Sequence, residues 1–202
     1  MSCKGERDYY SLEEKLVGKS LEGKNGNILC SNFGDDYKNV QSELKELIKI
    51  SSASDYKYIL EFAVMADSLE DIKRLVKENA SHDTHKYMWG ATLLHLAANH
   101  ASPGVIEYLI SIGFDVNDQG KTNGSALHIA VSENRFENIV TLIKNGASIN
   151  LKNHDGATPI VYTLGCKDHK TFKYLLDKGA VIDDSVRNTA EKIGFELNTA
   201  KN

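Results

Sequence analysis

Apolar residues in the second half of the chain fall into paired short stripes. Leu94, Ala97 and Ala98 are spaced three and one apart, and after a polar break Ile106, Leu109 and Ile110 follow the same rhythm. That spacing places side chains on one face of a helix, so each period predicts two short helices. Leu127, Ala130 and Val131 repeat the first stripe 33 residues later, and Phe172, Leu175 and Leu176 end the last one. The polar punctuation keeps the same interval. Thr92, Ser125 and Thr158 lie 33 residues apart, as do Gly113, Gly146 and Gly179, and Asn117, Asn150 and Asp183. A glycine after the second stripe closes a helix in the left-handed conformation. A fixed period of this size means a stack of one supersecondary unit rather than a single globular core.

The pattern fades toward the N-terminus. Ala63, Ile72, Leu75 and Val76 align with the first clear unit at an offset of 34, and Asn79-Ala80 takes the place of Gly113-Phe114. Leu12, Leu16 and Val17, then Ile28, Leu29 and Phe33, then Val40, Leu44, Leu47 and Ile48 predict further short helices. Residues 1–50 are therefore expected to be a divergent helical N-terminal cap, and 51–184 the repeats, at about 55–87, 88–119, 120–152 and 153–184. Residues 185–202 are expected to be a C-terminal capping helix, with Asn188–Phe195 resembling the first helix of one more unit.

Three segments share wording as well as period: Gly90-Ala-Thr-Leu-Leu-His-Leu-Ala-Ala98, Asn123-Gly-Ser-Ala-Leu-His-Ile-Ala-Val131 and Gly156-Ala-Thr-Pro-Ile-Val-Tyr-Thr-Leu164. With Gly146-Ala-Ser-Ile-Asn150 and Gly179-Ala-Val-Ile-Asp183, this resembles the ankyrin repeat, a helix pair with a β-turn finger and the signature T-P-L-H-x-A. The resemblance implies an all-α solenoid of stacked helix pairs, capped by helices at both ends. It implies that His95 and His128 tie their turns to neighbouring backbone. It also implies a protein partner on the concave face made by finger tips and first helices. Carried over position by position, that face offers Met88, Trp89, Asn99, His100, Lys121, Thr122, Ser132, Glu133, Lys152, His154, Asp155 and Cys166, with Ala91, Gly124, Ala157, Gly165 and Ser185 between them.

Composition narrows the chemistry. A net charge of −4 and a pI near 6.0 give no basic footprint for nucleic acid. No apolar run reaches membrane-spanning length, and Met1–Asp8 lacks a signal-peptide core, so a cytoplasmic protein is expected, a removed secretion signal being the exception. Cys3, Cys30 and Cys166 are odd in number and widely spaced, as free thiols are. Lysine-over-arginine usage and frequent asparagine fit an AT-rich genome, bacterial among others.

Candidate catalysts are few. His82-x-x-His85 lacks the further ligands of a metal site. Cys166 with His169 has the outline of a nucleophile and base, but no orienting third group. His95 and His128 repeat with the motif, which is the behaviour of stacking residues, and Val161 stands in the third place. Asn117, Asn150 and Asp183 are expected to hydrogen-bond their own turns. No phosphate loop, dinucleotide fingerprint or hydrolase elbow occurs. The expected function is a non-enzymatic, cofactor-free binding module, monomeric when unbound, of the kind used as an inhibitor or immunity protein. The alternative is a small effector or scaffold whose residues 1–50 carry a separate activity.

Trp89 is the chain's single tryptophan, flanked by Tyr87 and Met88 on an expected finger. Apolar surface at a loop tip is covered either by the fold or by a partner. As a partner anchor, Trp89→Ala weakens binding by roughly 2 kcal/mol or more with an unchanged melting midpoint. A lowered midpoint with unchanged affinity would assign Trp89 to the fold instead.

Overall fold

A computed structural model describes residues 56–78, 91–120, 124–165 and 167–197. The expected cap of residues 1–50, the His82–His85 segment, Asn79-Ala80, Met88, Trp89, Lys121, Thr122 and Cys166 lie outside the described residues. Among those described there are nine helices and no strand. They are α1 (Tyr56–Met65), α2 (Leu69–Glu78), α3 (Leu93–His100), α4 (Pro103–Ser111), α5 (Ala126–Ser132), α6 (Phe136–Lys144), α7 (Pro159–Gly165), α8 (His169–Asp177) and α9 (Asp184–Ile193).

The helices form four pairs and one closing helix. The first helices α1, α3, α5, α7 and α9 pack one on the next, and α4 packs on α6 in a second row. Between the rows runs one continuous apolar strip. Leu60, Ile72, Leu94, Ile106, Leu109, Leu127, Ile139, Leu142, Ile160 and Leu175 are all fully buried within it. Small residues line the contact of the first row, where Ala63, Ala97, Ala98 and Ala130 lose all exposure and let the helix backbones approach. Each unit thus buries its stripes both within the pair and against its neighbours.

The 33-residue glycines end the second helices as expected. Gly113, Gly146 and Gly179 all take positive φ, and the next amide reaches back to the helix, Phe114 N–H to Leu109 O and Ala147 N–H to Leu142 O. Their freedom from a Cβ is what permits this turn.

The 33-residue asparagines correct the expectation that they serve their own turns. Asn117 Nδ2 donates to Gly146 O at 3.2 Å while its Oδ1 accepts from Ser148 N–H at 2.8 Å, both in the next unit. Asn150 does the same to Gly179 O and Val181 N–H, each at 2.9 Å. A carboxamide has a donor and an acceptor on one end and so grips a neighbouring finger from both sides. Asp183 has no donor. It caps α9 through Val186 N–H at 3.1 Å and receives Lys152 Nζ at 3.2 Å. The ladder of grips therefore ends where the acid replaces the amide.

The closing helix starts at Asp184, four residues earlier than the Asn188 read from the sequence, because Asp183 caps it. It ends at left-handed Gly194. Val186 and Ala190 face the core while Arg187, Asn188, Glu191 and Lys192 stay wet. Phe195 then folds back over the last unit, its ring 5.3 Å from Phe172 and stacked at 4.7 Å on His169. Phe195→Ala should cost about 3 kcal/mol, as for other buried phenylalanines, and removal of residues 188–202 should give an aggregating or less stable protein. Urea titration and size-exclusion chromatography check both; a monomeric truncation of unchanged midpoint would make the segment a mere tail.

Candidate protein-binding face

The signature histidines are built into the stack. Thr92 N–H donates to His95 Nδ1 at 3.1 Å, and the Thr92 hydroxyl lies 2.8 Å from the same nitrogen. A backbone N–H only donates, so Nδ1 is the acceptor and the proton sits on Nε2, which donates to Gly124 O of the next unit at 3.0 Å. Ser125 and His128 repeat this, with Nε2 to Ala157 O at 3.2 Å. Both rings are buried and both nitrogens of each are spent, which leaves neither histidine for acid–base chemistry. Gly124 is needed here, since a Cβ on it would lie 2.8 Å from the His128 ring and its φ is +134°. Val161 in the third matching unit also has a reason. The carbonyl 29 residues on belongs to Ala190 inside α9, where it already accepts from Phe195 N–H. The last unit has no finger for a histidine to hold.

The finger tip at residues 153–157 is braced from several sides. Asn153 Oδ1 accepts from Asp155 N–H at 3.0 Å and Ala157 N–H at 2.8 Å, while Asn153 N–H donates to Ala157 O at 2.9 Å. Asn153 Nδ2 donates to the Tyr162 hydroxyl at 2.9 Å, and the Tyr162 ring stands edge-on to His128. Burial, followed by the nearby Asp155 charge, pushes the Tyr162 hydroxyl above its ordinary value, so it stays protonated at neutral pH. The result is a closed loop fixed to α7 at one side and to α5 through His128 at the other. The tip presents His154 and Asp155 to solvent. The preceding unit has Gly120 at the place of Asn153 and lacks the amide needed for this bracing.

The other expected face residues divide by environment. Glu133 and Lys152 are exposed, with Lys152 paired to Asp183. Asn99, His100 and Ser132 are half-buried. Asn99 Nδ2 lies 3.2 Å from His100 Nε2, and the Ser132 hydroxyl donates to Ile129 O. Burial, then the Arg135 charge, hold His100 below the ordinary histidine value, so it is neutral at pH 7. Ala91 and Gly124 are buried and so offer nothing to a partner, contrary to the register argument. His169 stacks on Phe195. Among the described residues no three His, Cys, Asp or Glu side chains group as a metal site, and no helix is long and apolar enough to cross a membrane.

Leu96, Ile129 and Tyr162 are not among the residues expected on this face. They are half-buried on successive first helices, 33 residues apart, and one turn before Asn99, Ser132 and Gly165. The signal was present in the period.

Residues 60–153 match the family model of ankyrin repeats in three copies. A protein of Borreliella burgdorferi named for ankyrin repeats is 26% identical over 174 residues, 83% of this chain and 42% of that protein. A fowlpox virus protein named likewise is 28% identical over 126 residues, 62% of this chain and 29% of its own length. Human neurogenic locus notch homolog protein 1 is 36% identical over 101 residues, half of this chain and 4% of that protein. The chain thus spans less than half the length of each of these relatives.

The buried His128 sets a pH dependence. Burial holds the His128 imidazole below the ordinary 6.5. A depressed histidine binds protons more readily unfolded, so its stability contribution is full above about 6.5 and is lost as pH falls through the folded value. Denaturation midpoints should therefore drop on acidification from pH 7. His128→Ala should cost about 1–3 kcal/mol at pH 7 and flatten that acid slope; an equally steep slope in the variant would assign it to other groups.

Proposed function

Because this chain belongs to the ankyrin repeat family, we propose that it is a non-enzymatic binding module that recognises one protein partner through its finger tips and first helices. Ankyrin repeats are protein–protein interaction modules, and the observation that carries the reading here is the braced finger at residues 153–157. Six hydrogen bonds close or anchor that loop in the free chain: the four from the Asn153, Asp155, Gly156 and Ala157 backbone amides, the Asn153–Tyr162 bond and the His128–Ala157 bond. A loop already ordered loses little conformational entropy on binding, and preorganisation of this kind converts contact area into affinity.

At the tip are an imidazole and a carboxylate, with the half-buried Tyr162 bonded to Asn153 beside them, an apolar ring with a polar rim. That is the composition of a protein-binding patch. A mixed rather than basic rim favours a protein over a nucleic acid. Blocking the partner, as an inhibitor or immunity protein does, is the finer form we favour for a module of this kind.

The test begins with the full chain as bait in the source organism, and the captured protein is then purified. Asp155→Ala and Asn153→Ala should each weaken its binding about tenfold or more, the first by removing a rim contact and the second by loosening the tip. Both should leave helix content unchanged by circular dichroism. A captured protein whose affinity is indifferent to both changes does not use this face. Loss of its own activity on binding supports inhibition, and retained activity removes that part.

A further inference from the structure

The turn between the two helices of a unit has one form in three units and another in the second. Asp67, Asn134 and Lys167 close α1, α5 and α7 with positive φ of 53°, 55° and 51°. In each the following amide reaches back into the helix, Ser68 N–H to Ala63 O, Arg135 N–H to Ala130 O and Asp168 N–H to Thr163 O. Such left-handed closures satisfy the last carbonyls of a helix locally. The second unit has Ala101 at this place, followed by Ser102 and Pro103. Proline confines the residue before it to extended backbone, and both Ala101 (ψ 169°) and Ser102 (ψ 164°) are extended. Alanine gains nothing from a left-handed position, unlike aspartate or asparagine.

Losing the local closure frees two sets of polar groups, and neighbouring units take them. Ser102 N–H, which elsewhere would bond its own helix, donates to Asp67 Oδ1 of the preceding unit at 2.7 Å. The end of α3 is taken from the following unit. The buried Asn138 amide donates to Ala101 O at 2.9 Å and Ala98 O at 3.2 Å. Val105 and Thr171 occupy the place of Asn138 in the flanking units, and neither side chain has an amide to span such a gap. The extended turn also makes α3 one residue longer than α5, so His100 is helical where Glu133 is not.

We propose that the Ala101–Ser102 turn is a joint that locks the first three described units together: it exchanges hydrogen bonds within one unit for bonds to both neighbours. Nearest-neighbour stacking otherwise leaves the ends of an array free to open by themselves. With the joint intact, α1 and α2 open together with the second unit rather than before it.

Hydrogen exchange followed by mass spectrometry on the full chain tests this. Asp67→Gly keeps the left-handed backbone and removes the carboxylate that holds Ser102. It should speed exchange across residues 56–78 by about tenfold or more, since hydrogen bonds to charged groups are stronger than those between neutral ones, while residues 159–193 keep their protection. Asn134→Gly makes the same change at a turn closed within its own unit and should leave 56–78 unaffected. Asn138→Val, copying Val105, should loosen α3 and α4 in the same selective way. Pairing Asp67→Gly with Ala101→Asn and Pro103→Glu, which supplies a left-handed closure, should restore slow exchange at Ser102. Unchanged exchange at 56–78 in Asp67→Gly, or an equal rise along the whole array in both glycine variants, would overturn the joint.

Discussion

No helix pair here buries all of its apolar surface within itself, and that constraint organises the rest. Each unit has two short stripes and little else, so what the pair leaves uncovered is buried by the units before and after it. Helices of seven to ten residues are too short to be stable alone in water. Stacking supplies what propensity does not. It follows that the chain must solve two problems that a globular core avoids: keeping the units in register, and closing the end of the row.

Register is kept by polar groups that reach one unit ahead. His95 and His128 bond a carbonyl 29 residues on, and Asn117 and Asn150 grip a backbone donor and acceptor about as far away. These bonds are directional, whereas the apolar strip between them is not. Apolar burial alone would tolerate sliding or rotation of one pair on the next. The hydrogen bonds fix one relation, and the fingers inherit it, which gives a set of separate loops one common surface. Closure of the row uses different chemistry. Asp183 turns from gripping to capping, Val161 replaces a histidine with no finger ahead, and Phe195 covers the last apolar face.

The same economy bears on recognition. A binding surface assembled from loops is precise only to the extent that the loops are held. The finger at residues 153–157 is held from within by Asn153, from its own helix by Tyr162 and from the previous unit by His128. Residues far from solvent thereby decide the posture of His154 and Asp155, which are exposed.

Period, element type and the places where helices end were legible in the sequence, because they depend on local rules. Apolar spacing fixes a helix face, and glycine at 113, 146 and 179 supplies a conformation that other residues resist. The histidines' structural role was legible too, through their repetition with the motif. Four things were decided only by the tertiary structure. Asn117 and Asn150 serve the next unit, Ala91 and Gly124 are covered, Tyr162 braces a finger, and the Ala101–Ser102 turn bonds both neighbours. Each concerns a polar group or a small residue whose partner lies in another unit. One unit's sequence states which donors and acceptors it has, but their distances to the next unit exist only once the apolar strip has set the units side by side.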